Sequence, residues 1–187
     1  MAAPQPVVQL RIQLDEVTPT VWRRLLVPGK ARMSRVHDMF QAAMGWTNSH
    51  LHSFTIGDKR YGTQIDIGEV PDDGTLDETQ YTLFVALAGG VRRFHYEYDF
   101  GDSWGHEVVI EDIGWVPLVL KHAVCVDGQN ACPPEDVGGV GGYARFLEAI
   151  ADPLDEEHDD YLVWVGHKFD PAAFSLGVAN AALQRVR

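Results

Sequence analysis

The sequence predicts an α+β fold in a single domain. Alternating apolar and polar residues, which are typical of half-buried strands, dominate the first two-thirds of the chain, whereas apolar residues at helical spacing dominate the last third. Strands and helices that are segregated in this way favour the α+β class over alternating α/β folds. The length of 187 residues suits one domain with a sizeable core, so we expect residues 1–187 to form one unit.

The N-terminal third predicts three strands and one helix. Residues 8–14 alternate strictly and form the first strand, and residues 21–27 form the second, which ends at a Pro-Gly pair. Ser34 has the side chain of an N-cap, and Gly45 is typical of the residue that follows a helix. The apolar stripe of the helix between them consists of Val36, Met39, Phe40, Ala43 and Met44. Residues 51–56 predict the third strand.

Polar loops separate the elements of the remaining chain. An acidic loop covers residues 66–78, and residues 81–88 fit either a strand or a short helix. A short strand is expected over residues 117–124, before a loop rich in glycine and proline. Helices are expected in three later places, namely residues 143–150, residues 161–166 and a final segment that starts at Asp170-Pro171.

Charge argues against some classes of partner. The net charge of −12 opposes a protein coated in nucleic acid, because phosphate neutralisation needs a basic surface. Residues 1–60 nevertheless carry eight Lys/Arg against four Asp/Glu, which leaves an anionic partner open for this part. The simpler interpretation is that these cations pair with the acidic remainder of the fold. The arginines concerned are Arg23, Arg24, Arg32 and Arg35.

The chain has no predicted export signal or membrane segment. Its first residues lack a basic region followed by an apolar stretch, and no apolar run approaches the ~18 residues of a membrane span. We therefore expect a cytoplasmic protein without a membrane partner. Cys125 and Cys132 are expected to be thiols, since two cysteines make no disulfide framework and their spacing differs from that of a structural zinc site.

Residues 94–111 form the most distinctive segment and predict a β-hairpin. Four aromatic residues alternate with polar ones before an acidic glycine turn, and a second alternating run follows. A three-residue loop over residues 101–103 would pair Tyr98 with His106 and leave one face apolar apart from that histidine. Because burial decides register, we expect this pairing, with Asp99 facing outward. An inward histidine among tyrosines is more typical of a core residue than of a ligand.

Three stretches of the sequence carry specific motifs. They are GWTNSHLHSF (residues 45–54), YEYDFGDSWGHEV (residues 96–108) and CPPEDVGGVGGY (residues 132–143). Together they resemble the plasmid ORF-3-like family, whose members are also labelled TnpR-type passenger proteins of insertion elements. The resemblance extends over nearly the whole chain. It implies a curved, mainly antiparallel sheet packed with an N-terminal helix and C-terminal helices.

The resemblance implies neither an established activity nor a cofactor. The TnpR label would suggest a resolvase, but the chain has no recombinase-like nucleophile context and its charge opposes DNA binding. Members of the family often carry a cysteine after Pro-Glu-Asp, where this chain has Val137. That departure weighs against a thiol–metal role for the loop.

His50 and His52 are candidate metal ligands, with a divalent cation as the possible cofactor. Their i, i+2 spacing would project both imidazoles from one face of a strand, where they can chelate the ion. His106 is a third candidate. The carboxylates that would complete the shell are those of Asp99 or Asp102 and of Glu135 and Asp136. The alternative is that His50 caps a turn and His52 packs in the core.

The same carboxylates and His106 are the candidate catalytic residues. Asp99 and Asp102 lie at the hairpin turn and could act as an acid–base pair or hold Mg²⁺, or Asp102 could bond the turn amides. Glu135 and Asp136 precede a glycine-rich helix start that could cradle an anion, although Asp136 could satisfy those amides itself. Residue order alone identifies no nucleophile arrangement.

Three functions remain open at this point, and whether the protein is an enzyme is one of the questions. The first is a binding or accessory domain for a small ligand or protein partner, because specific motifs occur without a recognisable catalytic set. The second is a metal-dependent, hydrolase-like enzyme that uses His50, His52, His106 and nearby carboxylates. The third is a nucleic-acid accessory protein of a mobile element. Convergence of His52, His106 and a carboxylate would favour the enzyme, and dispersed side chains would favour binding.

Overall fold

A computed structural model describes residues 3–63, 74–117, 119–166 and 168–186 of the chain. The strands in those ranges are β1 (Gln5–Leu14), β2 (Trp22–Pro28), β3 (His52–Ile56), β4 (Lys59–Gly62), β5 (Leu76–Asp77), β6 (Arg93–Tyr98), β7 (Trp104–Val116) and β8 (Val124–Gln129). The helices are α1 (Met33–Met44), α2 (Leu83–Ala86), α3 (Gly139–Ala151), α4 (His158–Trp164) and α5 (Leu176–Leu183). No helix in the described ranges has both the length and the apolar character needed to cross a membrane.

The described strands form one sheet in the order β5-β4-β3-β6-β7-β1-β2-β8. All neighbouring pairs are antiparallel except β4 and β5. Register shifts between Gln9 and Leu10, and between Arg24 and Leu25, add bends to two strand pairs. The prediction of a single-domain α+β fold with a curved, mainly antiparallel sheet is confirmed. That the domain spans residues 1–187 stays a prediction.

The main core lies between the sheet and α1. Residues of β1 alternate without exception between buried and half-buried, as the apolar–polar alternation of the sequence predicts. The predicted apolar stripe of α1 is buried throughout. Phe40 on this helix contacts Phe54 of β3 and Tyr96 of β6, with ring centroids 6.1 and 5.3 Å away. The helix therefore packs directly on the strands that lead into the candidate site.

α1 ends as predicted but starts differently. Gly45 has a left-handed backbone conformation with φ of 106°, and its N–H bonds back to the last turn of the helix. Ser34 lies inside the helix, and Arg32 occupies the cap position without a side-chain hydrogen bond. The N–H of Met33 donates instead to the carbonyl oxygen of Tyr81 at 3.0 Å. A tertiary contact thus takes the place of the local cap that the sequence suggested.

The short-helix alternative for residues 81–88 is correct, whereas the final helix starts later than expected. Residues 81–88 contain the short helix α2, which Thr82 caps. The final helix does not start at Asp170, because that residue accepts bonds from only two following amides and the turn stops there. Ser175 caps α5 instead. Most of the acidic loop predicted over residues 66–78 falls outside the described residues.

The strand expected over residues 117–124 is absent from the described part of that segment. β7 continues to Val116 because β1 pairs with it from Gln5, opposite Val116, to Leu14, opposite His106. The next strand begins only at Val124 and pairs with β2. Strand length here is set by the partner strand rather than by local composition.

The hairpin of β6 and β7 keeps the predicted faces but not the predicted pairs. Tyr98 lies opposite Trp104 rather than His106, so the loop contains the five residues 99–103. A shift of two residues leaves every side chain on the same face, and His106 faces inward as expected. The outward orientation expected for Asp99 is wrong. This residue leaves the strand with φ of 55° and is buried.

The predicted pairing of the N-terminal arginines with acidic residues holds for Arg24 alone among the described residues. Arg24 forms salt bridges with Glu111 and Asp127 at 2.8 and 3.0 Å. The other three guanidinium groups donate to backbone carbonyl oxygens. Their acceptors include Ala43 and Asn130 for Arg23, Gln80 for Arg32 and Lys121 for Arg35.

Candidate functional site

Three loops carry most of the predicted site residues, and they meet beside the turn of the β6–β7 hairpin. The first loop (residues 45–51) follows α1, the second (residues 99–103) is the hairpin turn, and the third (residues 131–138) precedes α3. Each belongs to one of the three sequence motifs. Hydrogen bonds join the loops in pairs: Thr47 to Glu135, Asp99 to Leu51 and Gly138 to Asp102.

Glu135 joins the first and third loops. Its Oε1 accepts hydrogen bonds from the backbone N–H and the hydroxyl of Thr47, at 2.7 and 2.9 Å. Tyr98 donates its hydroxyl to the same carboxylate at 3.1 Å and accepts from the N–H of Ser49 at 3.0 Å. Burial, together with the neighbouring Glu135 charge, raises the pKa of Tyr98 to about 12, so the hydroxyl keeps its proton. The Glu135 carboxylate is therefore engaged in holding the loops together.

Asp99 shapes the hairpin turn. Its Oδ1 accepts from the N–H of Gly101 at 2.9 Å and from that of Asp102 at 3.4 Å. Its own N–H donates to the carbonyl oxygen of Leu51 at 2.8 Å. These turn amides are the partners that the sequence suggested for Asp102. Since Oδ1 serves the turn, Oδ2 is the oxygen of Asp99 that faces the neighbouring loops.

Asp102 bonds to the third loop instead. Its Oδ2 accepts from the N–H of Gly138 at 3.0 Å, at the start of α3. A Cβ on Gly139 would lie 2.6 Å from the carbonyl oxygen of Asp102, and φ of Gly139 is 68°, so space and backbone conformation both require glycine. The predicted anion cradle at this helix start is occupied by the Asp102 carboxylate of the protein itself, and not by Asp136.

His50, Asp99 and Asp136 form a compact cluster where the loops meet. The Nε2 atom of His50 lies 2.9 Å from Oδ1 of Asp136 and 3.6 Å from Oδ2 of Asp99. One ligand atom from each residue lies within 4.8 Å of those of the other two. The Asp136 side chain is 70% exposed, whereas that of Asp99 is only 9% exposed. One imidazole and two carboxylates are donors that divalent transition-metal ions use in proteins.

His52 lies in a different environment from His50. Because β3 starts at His52, His50 precedes the strand and the i, i+2 rule does not place the two rings together. The Nε2 atom of His52 lies 2.7 Å from Oε2 of Glu78, and both side chains are buried. The His52 ring also stacks on His37, with 3.4 Å between centroids. The predicted His50–His52 chelate is therefore not formed, and His52 packs in the core.

A buried hydrogen-bond network supports the first loop through Asn48. The Oδ1 atom of Asn48 accepts from Nε2 of His37 at 2.6 Å, and its N–H donates to Gln41 at 3.1 Å. The other ring nitrogen of His37 then accepts the Tyr96 hydroxyl at 2.7 Å. Burial, with a smaller effect of the adjacent imidazole, lowers the pKa of His37 to about 4, which agrees with this neutral tautomer. The loop that carries His50 thus rests on a network fixed in the core.

His106 is fully buried and does not belong to the cluster. Its Nδ1 donates to the carbonyl oxygen of Tyr96 at 3.2 Å, and its ring meets Trp46 edge-on. Nε2 has no hydrogen-bond partner among the described residues. Burial lowers the pKa of His106 to about 3, so the side chain is neutral at physiological pH. The metal or catalytic role considered for His106 gains no support from this position.

Asp136 also lines a groove with a volume of about 860 Å³. It lies between the C-terminal end of α1, the third loop and the segment from α4 to α5. Its apolar lining includes Ala42, Ala43, Met44, Trp46, Trp164, Val165, Phe169, Phe174 and Val178. Its polar lining includes Arg23, Glu135 and Asp136. The half-buried thiol of Cys132 also lines it, and both cysteines are free, as predicted.

Comparison with known proteins identifies the family. A family model described as "Plasmid pRiA4b ORF-3-like protein" matches residues 6–178. The chain belongs to the plasmid pRiA4b ORF-3-like family. It is 42% identical over 184 residues to "Uncharacterized protein y4hQ" of Sinorhizobium fredii, which covers 95% of this chain and 90% of that protein. It is 31% identical to the protein in "Crystal Structure of Protein of Unknown Function MM3350 from Methanosarcina mazei Go1", with a TM-score of 0.82 over 92% of this chain and 97% of that one.

Polar residues that were not predicted as part of the site lie beneath it in this ORF-3-like protein. His37 and Gln41 occupy i, i+4 positions on the buried face of α1, and polar residues in such a stripe are a usable signal of a buried network. Thr47 and Asn48 lie inside the first motif, and no pattern in the sequence distinguishes them from its other residues. Glu78 gave no signal, because it follows a run of acidic residues and its burial depends on distant strands.

Proposed function

We propose that this ORF-3-like protein is a binding module that holds a small molecule in the groove. The observation that carries the proposal is the volume of about 860 Å³ combined with a mainly apolar lining. Small-molecule sites typically measure ~300–1,000 Å³ and combine apolar walls with a few polar groups. Asp136, whose side chain is 70% exposed, supplies a polar group here, whereas Arg23 and Glu135 also line the groove but bond to other groups of the protein.

The exposure of apolar side chains along the groove supports the same function. Trp164 and Val178 line it and are 48% and 71% exposed. Covering such surface is favourable by ~25 cal/mol for each Å² of apolar area removed from water. A molecule with an aromatic or aliphatic body would obtain part of its affinity from these contacts.

The distribution of the histidines also supports binding. His52 pairs with Glu78 and His106 is neutral in the core, so neither reaches the His50 cluster. A hydrolase built on His50, His52 and His106 together would need all three at one place.

The test fills the groove with a side chain. Ala173 is exposed and lines the groove, whereas Ala172 is also exposed but does not line it, so Ala173→Trp and Ala172→Trp form a matched pair. The probe is 1-anilinonaphthalene-8-sulfonate, an aromatic anion whose fluorescence rises in apolar sites. We expect saturable binding to the folded wild type, at least ~10-fold weaker binding to Ala173→Trp, and unchanged binding to Ala172→Trp.

Circular dichroism of each variant distinguishes loss of the groove from loss of the fold. Absence of saturable binding to the folded wild type would contradict the proposal. Equal binding to Ala173→Trp and the wild type, with both folded, would also contradict it, because the probe would then sit elsewhere.

A metal-dependent hydrolase is the second candidate, and the convergence of His50, Asp99 and Asp136 is the observation that favours it. Three protein ligands would leave open coordination positions for water, as in catalytic zinc sites. The assay is hydrolysis of p-nitrophenyl acetate and p-nitrophenyl phosphate with added Zn²⁺ or Mn²⁺. Turnover that disappears in folded Asp99→Asn would support the enzyme and remove the purely binding role.

The role of nucleic-acid accessory protein receives less support from the arginines. Arg23, Arg32 and Arg35 donate to backbone carbonyl oxygens within the fold. A phosphate backbone would have to compete with those bonds. Salt-sensitive binding of DNA or RNA at low ionic strength is the measurement that would revive this function.

A further inference from the structure

The contact between His50 and Asp136 has the length of a hydrogen bond but not its direction. Nε2 of His50 and Oδ1 of Asp136 are 2.9 Å apart, yet Nε2 is buried and makes no hydrogen bond with any described residue. Two ligands that bind one ion at ~2.1 Å lie ~3.0 Å apart at a right angle and ~3.4 Å apart in a tetrahedron. The distances of 2.9 and 3.6 Å around Nε2 are close to those values.

The Asp99 carboxylate supplies an independent observation. Its side chain is about nine-tenths buried, and Oδ1 already accepts the amides of Gly101 and Asp102. Oδ2 faces Nε2 of His50, which lies 3.6 Å away, beyond hydrogen-bond distance. The charge of a carboxylate that is nearly buried is costly without a compensating partner, and a cation at this place would supply one.

The surrounding charge favours a cation. Four carboxylates lie on the second and third loops: Asp99, Asp102, Glu135 and Asp136. Within the described ranges no Lys or Arg forms a salt bridge with any of them. Amides, hydroxyls and one imidazole are their partners, and these leave much of the negative charge uncompensated.

The loops also hold two of the three donors in place before any ion arrives. His50 lies on a loop fixed by Thr47 and Asn48, and Asp99 is held by its own turn. Preorganised ligands lose little conformational freedom on binding, which increases affinity. Only Asp136 has an exposed side chain, and it lies where an ion would enter from solvent.

We propose that His50, Asp99 and Asp136 bind a divalent transition-metal cation of the Zn²⁺ or Mn²⁺ type, which accepts an oxygen donor of the molecule bound in the groove. One imidazole nitrogen and two carboxylate oxygens suit these ions better than Ca²⁺, which prefers six to eight oxygen ligands. Asp136 belongs to the cluster and lines the groove, so an ion on its carboxylate lies at the edge of the groove. The cation site stands alone, whereas the contact with the bound molecule rests on the proposed function.

The test of the cation site is isothermal titration of the EDTA-treated full chain with ZnCl₂ and MnCl₂, without any other ligand. The wild type is expected to bind one equivalent, and Asp136→Asn is expected to weaken binding by about 100-fold. Asp136→Asn is the preferred variant, because its side chain is 70% exposed and its replacement leaves the turn intact. His50→Gln is the second variant, with the same expected loss.

His95→Gln is the matched control. His95 also lies 3.6 Å from an aspartate, Asp15, but it is 48% exposed, and no second carboxylate from the described ranges completes a cluster there. The control is expected to bind the ion as the wild type does. The cation site is overturned if the wild type binds no ion more tightly than ~1 mM, a free energy of only ~4 kcal/mol. It is also overturned if Asp136→Asn binds like the wild type, or if His95→Gln loses as much affinity as His50→Gln.

A second titration separates the cation site from the groove. The probe is 2-naphthoate, which has an aromatic body and a carboxylate, measured with Zn²⁺ and with EDTA. Binding at least ~10-fold tighter with Zn²⁺, and lost in Ala173→Trp, supports the contact between ion and bound molecule. Equal affinity with Zn²⁺ and EDTA overturns that contact. Zn²⁺ binding by the wild type together with failure of both aromatic probes overturns the groove and leaves the cation site intact.

Discussion

His106 is neutral in the folded protein and should make stability depend on pH. Burial lowers its pKa from 6.5 to about 3. Below a pH of about 6.5 the unfolded chain therefore binds a proton at this position, whereas the folded chain does not until the pH approaches 3. Because the unfolded state binds more protons across this range, the free energy of unfolding falls as the pH falls.

His106→Leu removes the titrating group and places an apolar side chain at the same position in the core. From neutral pH to about pH 4.5, His106 should cost the wild type ~2.5 kcal/mol of stability, and the variant should lose none of this amount. His37, with its pKa lowered to about 4, adds a similar loss in both proteins. Asp15 and Asp38, whose pKa values burial raises, act in the opposite direction in both proteins. The difference between the two proteins in how their free energy of unfolding changes with pH therefore gives the contribution of His106.

The assay is urea unfolding followed by circular dichroism at several pH values between neutral and about 4.5. Leucine also loses the hydrogen bond to the Tyr96 carbonyl oxygen, which should cost ~1–3 kcal/mol at every pH, so the slope is the decisive quantity. Val108→Ala is the control, because Val108 is buried on the same strand and does not titrate. Its curve should lie parallel to that of the wild type. A slope for His106→Leu equal to that of the wild type would refute the assignment of a neutral, buried His106.

Three further substitutions test the packing around the site, each by urea unfolding. Gly139→Ala should cost ~1–3 kcal/mol, because its Cβ would lie 2.6 Å from the Asp102 carbonyl oxygen at a positive φ, and a neutral effect would show that the loops can separate freely. Glu78→Ala should cost ~1–3 kcal/mol by leaving the buried Nε2 of His52 without its hydrogen-bond partner, and unchanged stability would show that water replaces the carboxylate. Arg23→Met should cost ~3–5 kcal/mol, since several carbonyl oxygens lose a buried donor, and retention of full stability would show that water replaces the guanidinium.

Local periodicity predicted the elements whose boundaries depend on their own residues. The stripe of α1 and the alternation of β1 are examples, since each residue's face follows from helix or strand geometry alone. The limits of β7 did not follow from its own sequence, because β1 supplies the hydrogen bonds that extend it. The start of α1 also depends on a distant group, the carbonyl oxygen of Tyr81.

The hairpin shows which part of a register the sequence carries. Burial of one face excludes odd shifts but does not distinguish shifts of two residues, so the side of His106 was predictable and its partner was not. Asp99 decides the outcome by bonding the turn amides and widening the loop to five residues. A carboxylate that was expected to face solvent is thereby turned into the candidate site.

The candidate site was predicted residue by residue but not as a group. Spacing along the chain suggested that His50 would work with His52, but the start of β3 separates them. The partner that His50 contacts is Asp136, on a loop far along the chain. Loop-to-loop contacts of this kind depend on close backbone approach, as at Gly139, and a single sequence carries no direct measure of it.

The chain's own residues were sufficient to predict the family, the α+β class, the buried face of each long element and the three motifs that carry the site. Those properties follow from local periodicity and from specific strings, which neighbouring residues define. Contacts between distant parts of the chain were needed to show that His50 joins Asp99 and Asp136, that His52 joins Glu78, and that His106 is uncharged in the core. The physical reason is that pairing and desolvation depend on residues brought together from distant parts of the chain, and both effects change the chemistry of a side chain without changing its sequence pattern.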